Sequence, residues 1–411
     1  MPLAFDRGLW HLGGTLTLPA RDEGARVPAV VLVHGSGPMS RDGVMRGQIG
    51  LGFGFDLPVY QRLAAALAAH GFAVYRYDKR TCGTFNGCAD NGPSLIPYSM
   101  LTEAFATSEY VRDAEAALDT LVQHPAIDPG RTFFVGHSEG GQLLPVLLSE
   151  RPKVRAGVML APPFHTMTVV LEQQSERVRW AFTLTGQPER AEVEGRQLHD
   201  AAHALERIER GTHLGDPVLG QPPAMWASWI ALAHSAPTLA RELDRPLLVL
   251  GGSYDYNVVP SEIDAWARWL AASPRAPHRV RVLDCVTHAL NCVTQPDPQR
   301  ITPSDIGHDL APSLVLEIVN FLEAHAGVQA VPIAGGPPQA LVWGAGRGLA
   351  TDATHLYVGT ADGRVLKVPK AGGAALALAR TELYASDIAV DDHHVYWVER
   401  SKAGALVRTP K

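Results

Sequence analysis

Along the first 325 residues, continuous apolar runs alternate with segments whose apolar positions recur every three or four residues. Ala29–Val33 is one such run, of the kind that fills a parallel strand buried on both faces. Further strands are predicted at Phe72–Tyr77, Thr132–Val135, Gly157–Leu160, Pro246–Leu250 and His278–Leu283. The stretch Leu12-Gly-Gly-Thr-Leu-Thr-Leu-Pro19 reads as a hairpin within a strand-rich region from about Leu9 to Val33. Helical spacing covers about Pro58–His70 and Met100–His124, a segment opening at Ser138, and about Ser313–His325. Strands separated by helices require crossovers, so the expected class is α/β, with a mostly parallel sheet covered on both faces. Between Leu160 and Pro246 lie about 80 residues of mainly helical pattern. That exceeds an ordinary crossover and predicts an inserted cap over 162–243.

The pattern changes after the last helix. Residues 326–338 are rich in Gly and Pro and read as a linker, leaving 1–325 as one domain and 339–411 as a separate β segment. The β segment repeats itself. Leu349-Ala-Thr-Asp-Ala-Thr-His-Leu-Tyr-Val aligns with Ile388-Ala-Val-Asp-Asp-His-His-Val-Tyr-Trp at an offset of 39, and Gly363–Lys370 aligns with Gly404–Lys411. A period near 40 with strand-turn-strand content resembles β-propeller blades, although two units do not close a propeller.

Composition narrows the class. The chain has 411 residues, 46% of them hydrophobic, and a formal net charge of −6. Global disorder is excluded. The acidic balance argues against a nucleic-acid partner, and no apolar run reaches the roughly 18 residues needed for a membrane span. The first residues lack a basic start followed by an apolar stretch, so no signal peptide is expected as written. Cys82 with Cys88 and Cys285 with Cys292 form two close pairs. Their spacing does not suit zinc, and no metal is expected. They are either local disulfides, as in a secreted or periplasmic mature form, or four separate thiols.

Chemistry concentrates at Gly136-His137-Ser138-Glu139-Gly140-Gly141, a Gly-x-Ser-x-Gly directly between an apolar strand and a helix. Such a turn lifts the serine above the sheet, and the helix N-terminus faces charge developing on a substrate. A serine nucleophile needs a base and an orienting acid, expected later in the chain in the order acid, then histidine. Asp255 follows the strand ending at Leu250, and His288 follows the next strand. His308 is the runner-up base and Asp284 the alternative acid. Val33-His34-Gly35-Ser36-Gly37-Pro38 follows an early buried strand, so the amides of Ser36 and Glu139 are the expected oxyanion hole.

These residues, with Tyr77-Asp-Lys-Arg80, resemble the α/β-hydrolase superfamily over about residues 10–325, notably its bacterial esterase-like and dienelactone-hydrolase-like branch. The resemblance implies an eight-stranded sheet with a helical cap, and Ser138, Asp255 and His288 as a triad. Where that branch usually continues with glycine after the Tyr-Asp-Lys-Arg motif, this chain has Thr81-Cys82. The expected reaction is cleavage of a small carboxylic ester through an acyl-enzyme, without metal or organic cofactor. A peptidase or thioesterase on the same residues is the alternative within the class. A binding or scaffold protein using the repeat tail is the alternative outside it. Phe164, Met167, Trp180, Phe182, Met225, Trp226 and Trp229 supply the cap with apolar bulk. Most suit its own core, and Met225 and Trp226 are the candidates for substrate contact. Oligomeric state is left open by the sequence.

Overall fold

The computed structural model describes the chain outside residues 47–55, 83–87, 89–105, 214, 274, 296, 298–299, 301, 331–338, 343–344, 361–362, 373, 382–384 and 400–404. It divides into two compact units, Met1–Val315 and Leu316–Lys411.

The first unit is built on a sheet of seven strands. In chain order they are β3 (Gly14–Thr17), β4 (Val27–Val33), β7 (Ala73–Tyr77), β8 (Ile127–His137), β9 (Ala156–Leu160), β10 (Leu247–Gly252) and β11 (Arg279–Leu283). Across the sheet the order is β11-β10-β9-β8-β4-β7-β3, and every pairing is parallel except that of β3 with β7. Eight strands were expected. The eighth position is held by Pro2, which bridges Thr15 of β3 in a contact too short to form a strand. The hairpin falls earlier than the sequence pattern suggests: β1 (Phe5–Arg7) pairs with β2 (Trp10–Leu12), while Gly14–Thr17 joins the main sheet. The central strands β4, β7, β9 and β10 are buried along nearly their whole length. That is why their sequences are continuous apolar runs and not alternating ones.

Helices cover the sheet. Helix α1 (Val59–Ala69) buries Tyr60, Leu63, Ala64 and Leu67 at spacings of three and four. Helix α2 (Thr107–Val122) buries Tyr110, Val111, Ala114, Ala117, Leu118 and Leu121 in the same way. Its expected beginning at residues 100–105 lies outside the described residues. Helix α3 (Glu139–Glu150) follows β8 without a loop. Between β9 and β10, helices α4 (Met167–Leu184), α5 (Pro188–Glu209) and α6 (Pro223–Glu242) form the cap. Not anticipated were helix α7 (Pro260–Leu270) and two small antiparallel pairs, β5 (Val44–Arg46) with β6 (Asp56–Pro58) and β12 (Asn291–Val293) with β13 (Ile306–Leu310). Helix α7 starts with proline in its first turn and buries Ile263, Trp266 and Leu270 at helical spacing. Among the described residues, no helix is long and apolar enough to cross a membrane. Helix α8 (Pro312–Ala326) spans the boundary between the units.

After the helix, the described strands of the second unit all pair antiparallel. Of the expected linker, residues 331–338 lie outside the described residues, and Val328–Ala330 forms a strand, β14, paired with β15 (Gln339–Val342). Then come four strands, β16 (Ala345–Thr351), β17 (His355–Thr360), β18 (Arg364–Pro369) and β19 (Leu376–Arg380). Three more, β20 (Ala385–Val390), β21 (His394–Glu399) and β22 (Ala405–Pro410), form a second sheet. Tyr357, Val365, Ala385, Ile388, Val395 and Trp397 pack together as this unit's core. The repeat is reproduced atom for atom at its turns. Asp352 Oδ1 accepts from the amides of Thr354 and His355, and its Oδ2 accepts from Tyr357. Asp391 does the same with His393, His394 and Tyr396.

Candidate active site

Strand β8 runs straight into α3 through Ser138, whose φ of 54° and ψ of −120° lie where glycine is at home. Holding another residue there costs about 1–3 kcal/mol. The bend is possible because of its neighbours. A Cβ on Gly140 would stand 2.4 Å from the carbonyl oxygens of Val33 and His34, so only glycine lets α3 lie this close to the end of β4. Ser138 is anchored through its amide, which donates to the Leu160 carbonyl of β9 at 2.7 Å.

The candidate acid and base meet as the chain order predicts. His288 Nδ1 lies 2.8 Å from Asp255 Oδ2. The carboxylate can only accept, so Nδ1 carries the proton and Nε2 is the basic nitrogen. Asp255 is fully buried, and its Oδ1 accepts from the amides of Asn257 and Val258 at 2.9 and 2.8 Å. Asp284, the alternative acid, is exposed. His308, the runner-up base, sits on β13. The two loops also fit tightly: a Cβ on Gly252 would meet the Val286 carbonyl at 2.0 Å. Both cysteine pairs are disulfides, and Cys285–Cys292 closes the loop that carries His288. Inside it, Thr287 donates its amide to Asn291 and Val293 donates to Cys285. Among the described residues, no hydrogen bond joins Ser138 Oγ to His288. Such bonds are often long before substrate binds.

His137 couples the base loop to the other side of the site. Its Nε2 donates to the His288 carbonyl at 3.0 Å, and the two rings lie 4.7 Å apart. Its Nδ1 then accepts from Tyr60 Oη at 3.3 Å, while Tyr60 accepts from the Gly35 amide at 2.9 Å. Burial, and then the nearby His288, hold the His137 pKa well below the usual imidazole value, which keeps this relay neutral.

Ser36 and Glu139, the expected oxyanion donors, both line a cavity of about 410 Å³. Among the described residues, neither amide has a protein acceptor. What holds them was not anticipated: Lys79 Nζ donates to the Gly35 carbonyl at 2.8 Å and to Glu139 Oε2 at 2.6 Å. This lysine is buried and stands 4.1 Å from the centre of the Tyr110 ring. The whole Tyr77-Asp-Lys-Arg stretch works this way. Asp78 binds the Arg41 amide at 2.7 Å, and Arg80 makes a two-pronged pair with Asp113 of α2 at 2.6 and 2.7 Å. The only sequence signal for Lys79 was three charges placed straight after a buried strand, where each must find a partner.

Met225 and Trp226 line the same cavity, joined by Met167, Leu171, Leu198 and Trp229. Trp229 donates to Gln142 Oε1 of α3 at 2.8 Å, which ties the cap to the helix behind Ser138. Other cap aromatics serve packing: Phe164 meets Trp266 at 5.2 Å and Trp180 meets Tyr256 at 5.4 Å. Buried Glu262 of α7 accepts from the amides of Phe164 and His165 and from Gln173, fixing the cap's entry.

Comparison with known proteins agrees with this architecture. The model of the Alpha/beta hydrolase family matches residues 30–303, well over half of the chain. Esterase EstD of Thermotoga maritima is 28% identical over 280 residues, which are 68% of this chain and 58% of the esterase. The chain thus spans less than two-thirds of that relative's length. Among solved structures, Est1E from Butyrivibrio proteoclasticus is similar with a TM-score of 0.42 and 14% identity, covering 70% of this chain and 90% of that one. Pyrococcus horikoshii acylaminoacyl peptidase is similar with a TM-score of 0.45 and 16% identity, covering 70% of this chain and 37% of that one. With its serine turn, its parallel sheet and the extent of the family match, the chain belongs to the alpha/beta hydrolase family.

Proposed function

We propose that the chain is a serine esterase that cleaves small carboxylic esters through an acyl-enzyme. The observation that carries this reading is the Asp255–His288 pair, contacted by His137, the residue directly before a serine held at φ 54° on a strand-to-helix turn. His288 Nε2 takes the proton of Ser138 as Oγ attacks the carbonyl carbon, and Asp255 steadies the imidazolium. The amides of Ser36 and Glu139 receive the negative oxygen, a single such donor being worth roughly 3–4 kcal/mol of barrier. His288 returns its proton to the leaving alcohol and then activates the water that frees Ser138. Met, Leu and Trp side chains around the cavity favour an apolar acyl group. The two disulfides suit an oxidising compartment. We read the tail as two units of the propeller type, on the matching Asp352 and Asp391 turns. Ser138→Ala should abolish turnover of p-nitrophenyl esters and labelling by a fluorophosphonate probe. Activity retained in that variant would sink the assignment.

A further inference from the structure

On the cap, Glu172 of α4 converges with His199 and His203 of α5, and one ligand atom from each lies within 4.8 Å of the others. His199 Nδ1 is 2.9 Å from Glu172 Oε2. The carboxylate can only accept, so the proton sits on Nδ1 and the lone pair of the neutral ring is on Nε2. That Nε2 lies 3.2 Å from Nε2 of His203. His203 turns its own Nδ1 toward Glu206 Oε2, 3.6 Å away, and its Nε2 lies 3.9 Å from Glu172 Oε1. Two imidazole nitrogens face each other, each backed by a carboxylate. His203 Nε2 can donate its proton to the lone pair on His199 Nε2, and a metal ion held by both rings would release that proton to solvent.

We propose that Glu172, His199 and His203 form a binding site for a divalent transition metal of the zinc type, fastening α4 to α5. The donor set is two imidazole nitrogens and one carboxylate oxygen, which suits zinc and not the oxygen-seeking magnesium or calcium. Glu206, 3.6 Å from Nδ1 of His203, stands where a carboxylate orients such a ligand from its far ring nitrogen. Ligands on a tetrahedral zinc stand roughly 3.3–3.5 Å apart, from bonds of about 2.0–2.1 Å. The observed 3.2 and 3.9 Å lie near that spacing, and Glu172 completes the set by leaving Nδ1 of His199 and turning toward the ion. All three side chains are between 39% and 52% exposed, so an ion can enter from solvent and water can complete its shell. The site is separate from the proposed hydrolytic chemistry but backs onto its cavity. Leu171 and Leu198, the residues immediately before Glu172 and His199, both line that cavity. A metal here fixes the spacing of two cavity walls and so acts on KM more than on kcat.

The test is a zinc titration of the full chain, stripped with EDTA and dialysed, followed by calorimetry at about pH 7.5 with thermal unfolding in parallel. The expected result is one zinc per chain and a raised Tm. The His199→Gln/His203→Gln double variant should lose both, while its metal-free Tm stays at the parent value. Glu172→Gln should bind roughly 10–100-fold more weakly. No binding up to about 1 mM zinc, or binding unchanged in the double variant, overturns the site and leaves a plain hydrogen bond between the two imidazoles. Ser138→Ala should bind zinc as the parent does, so the site stands or falls apart from the esterase reading. Zinc binding lost in Ser138→Ala would place the ion elsewhere and overturn the assignment.

Discussion

The two halves of the proposed site are held by different physics. The oxyanion half depends on partners far apart in sequence: Lys79 reaches across 44 residues to Gly35 and 60 to Glu139, through a buried ion pair. The base half is closed covalently: a loop from Cys285 to Cys292 holds His288, with short-range hydrogen bonds inside it beside the longer-range ones from His288 to Asp255 and His137. The first arrangement positions two backbone segments with one cation and fails all at once if that cation is removed. The second spreads the work over many small restraints and fails by degrees. In the proposed site, a buried ion pair between distant segments positions the amides meant to receive charge, and a disulfide-closed loop positions the proposed base.

The sharpest way to break this comparison is Lys79→Met. It leaves Glu139 charged and buried, and should cost about 3–5 kcal/mol in stability. It should also lower kcat roughly 10²–10³-fold, the loss seen when an oxyanion donor is removed. Urea unfolding and p-nitrophenyl ester kinetics measure the two effects. Adding Glu139→Gln should return much of the stability and little of the rate, because the loop at Gly35 stays untethered. Next comes the base half. Cys285→Ser with Cys292→Ser should lower kcat about tenfold with little change in KM, and should cost about 2–3 kcal/mol for so short a loop. The matching Cys82→Ser with Cys88→Ser variant separates this effect from a general loss of disulfides. Full activity in strong reductant would show that hydrogen bonds alone hold His288.

Acid should act on the first half. Burial, and then the charge of Lys79, hold the His34 pKa at about 3. Below pH 6.5 the unfolded chain takes up this proton and the folded chain does not, so stability falls as pH falls until about 3 is reached. Between pH 6.5 and 5 that is about 1.6 kcal/mol from His34 alone, and buried His137 acts in the same direction. Comparing the unfolding midpoint of the parent with that of His34→Asn across this range measures the slope. The smallest effect belongs to Tyr60→Phe, which removes the link between the Gly35 amide and His137. It should cost about 1–3 kcal/mol in stability, because the buried amide loses its acceptor, and a few-fold in kcat.

How much of this was legible in the sequence follows from how local each feature is. The elbow around Ser138 was readable because glycine spacing, an apolar strand and a helix all sit within one short stretch. Asp255 and His288 were readable because strand order fixes which loops meet above the sheet. Met225 and Trp226 could be named as apolar cap residues, but only packing decides that they line the cavity while Phe164 and Trp180 do not. Lys79 and Tyr60 were not readable as partners of Gly35, because their contacts depend on how β4, β7 and α1 lie side by side. The strand count went astray at the N-terminus, where Gly14–Thr17 joins the main sheet and Pro2 contributes a single bridge. Alternation over so few residues does not say which neighbour a strand will choose.

The bend at Ser138 has a consequence for descent. A glycine at that position would relieve about 1–3 kcal/mol of backbone strain, at the loss of the hydroxyl. The proposed nucleophile therefore sits where the folded state itself favours its removal. In any lineage no longer selected for hydrolysis, decay of this serine runs downhill. A serine that persists here in related chains would be evidence that the chemistry is still in use.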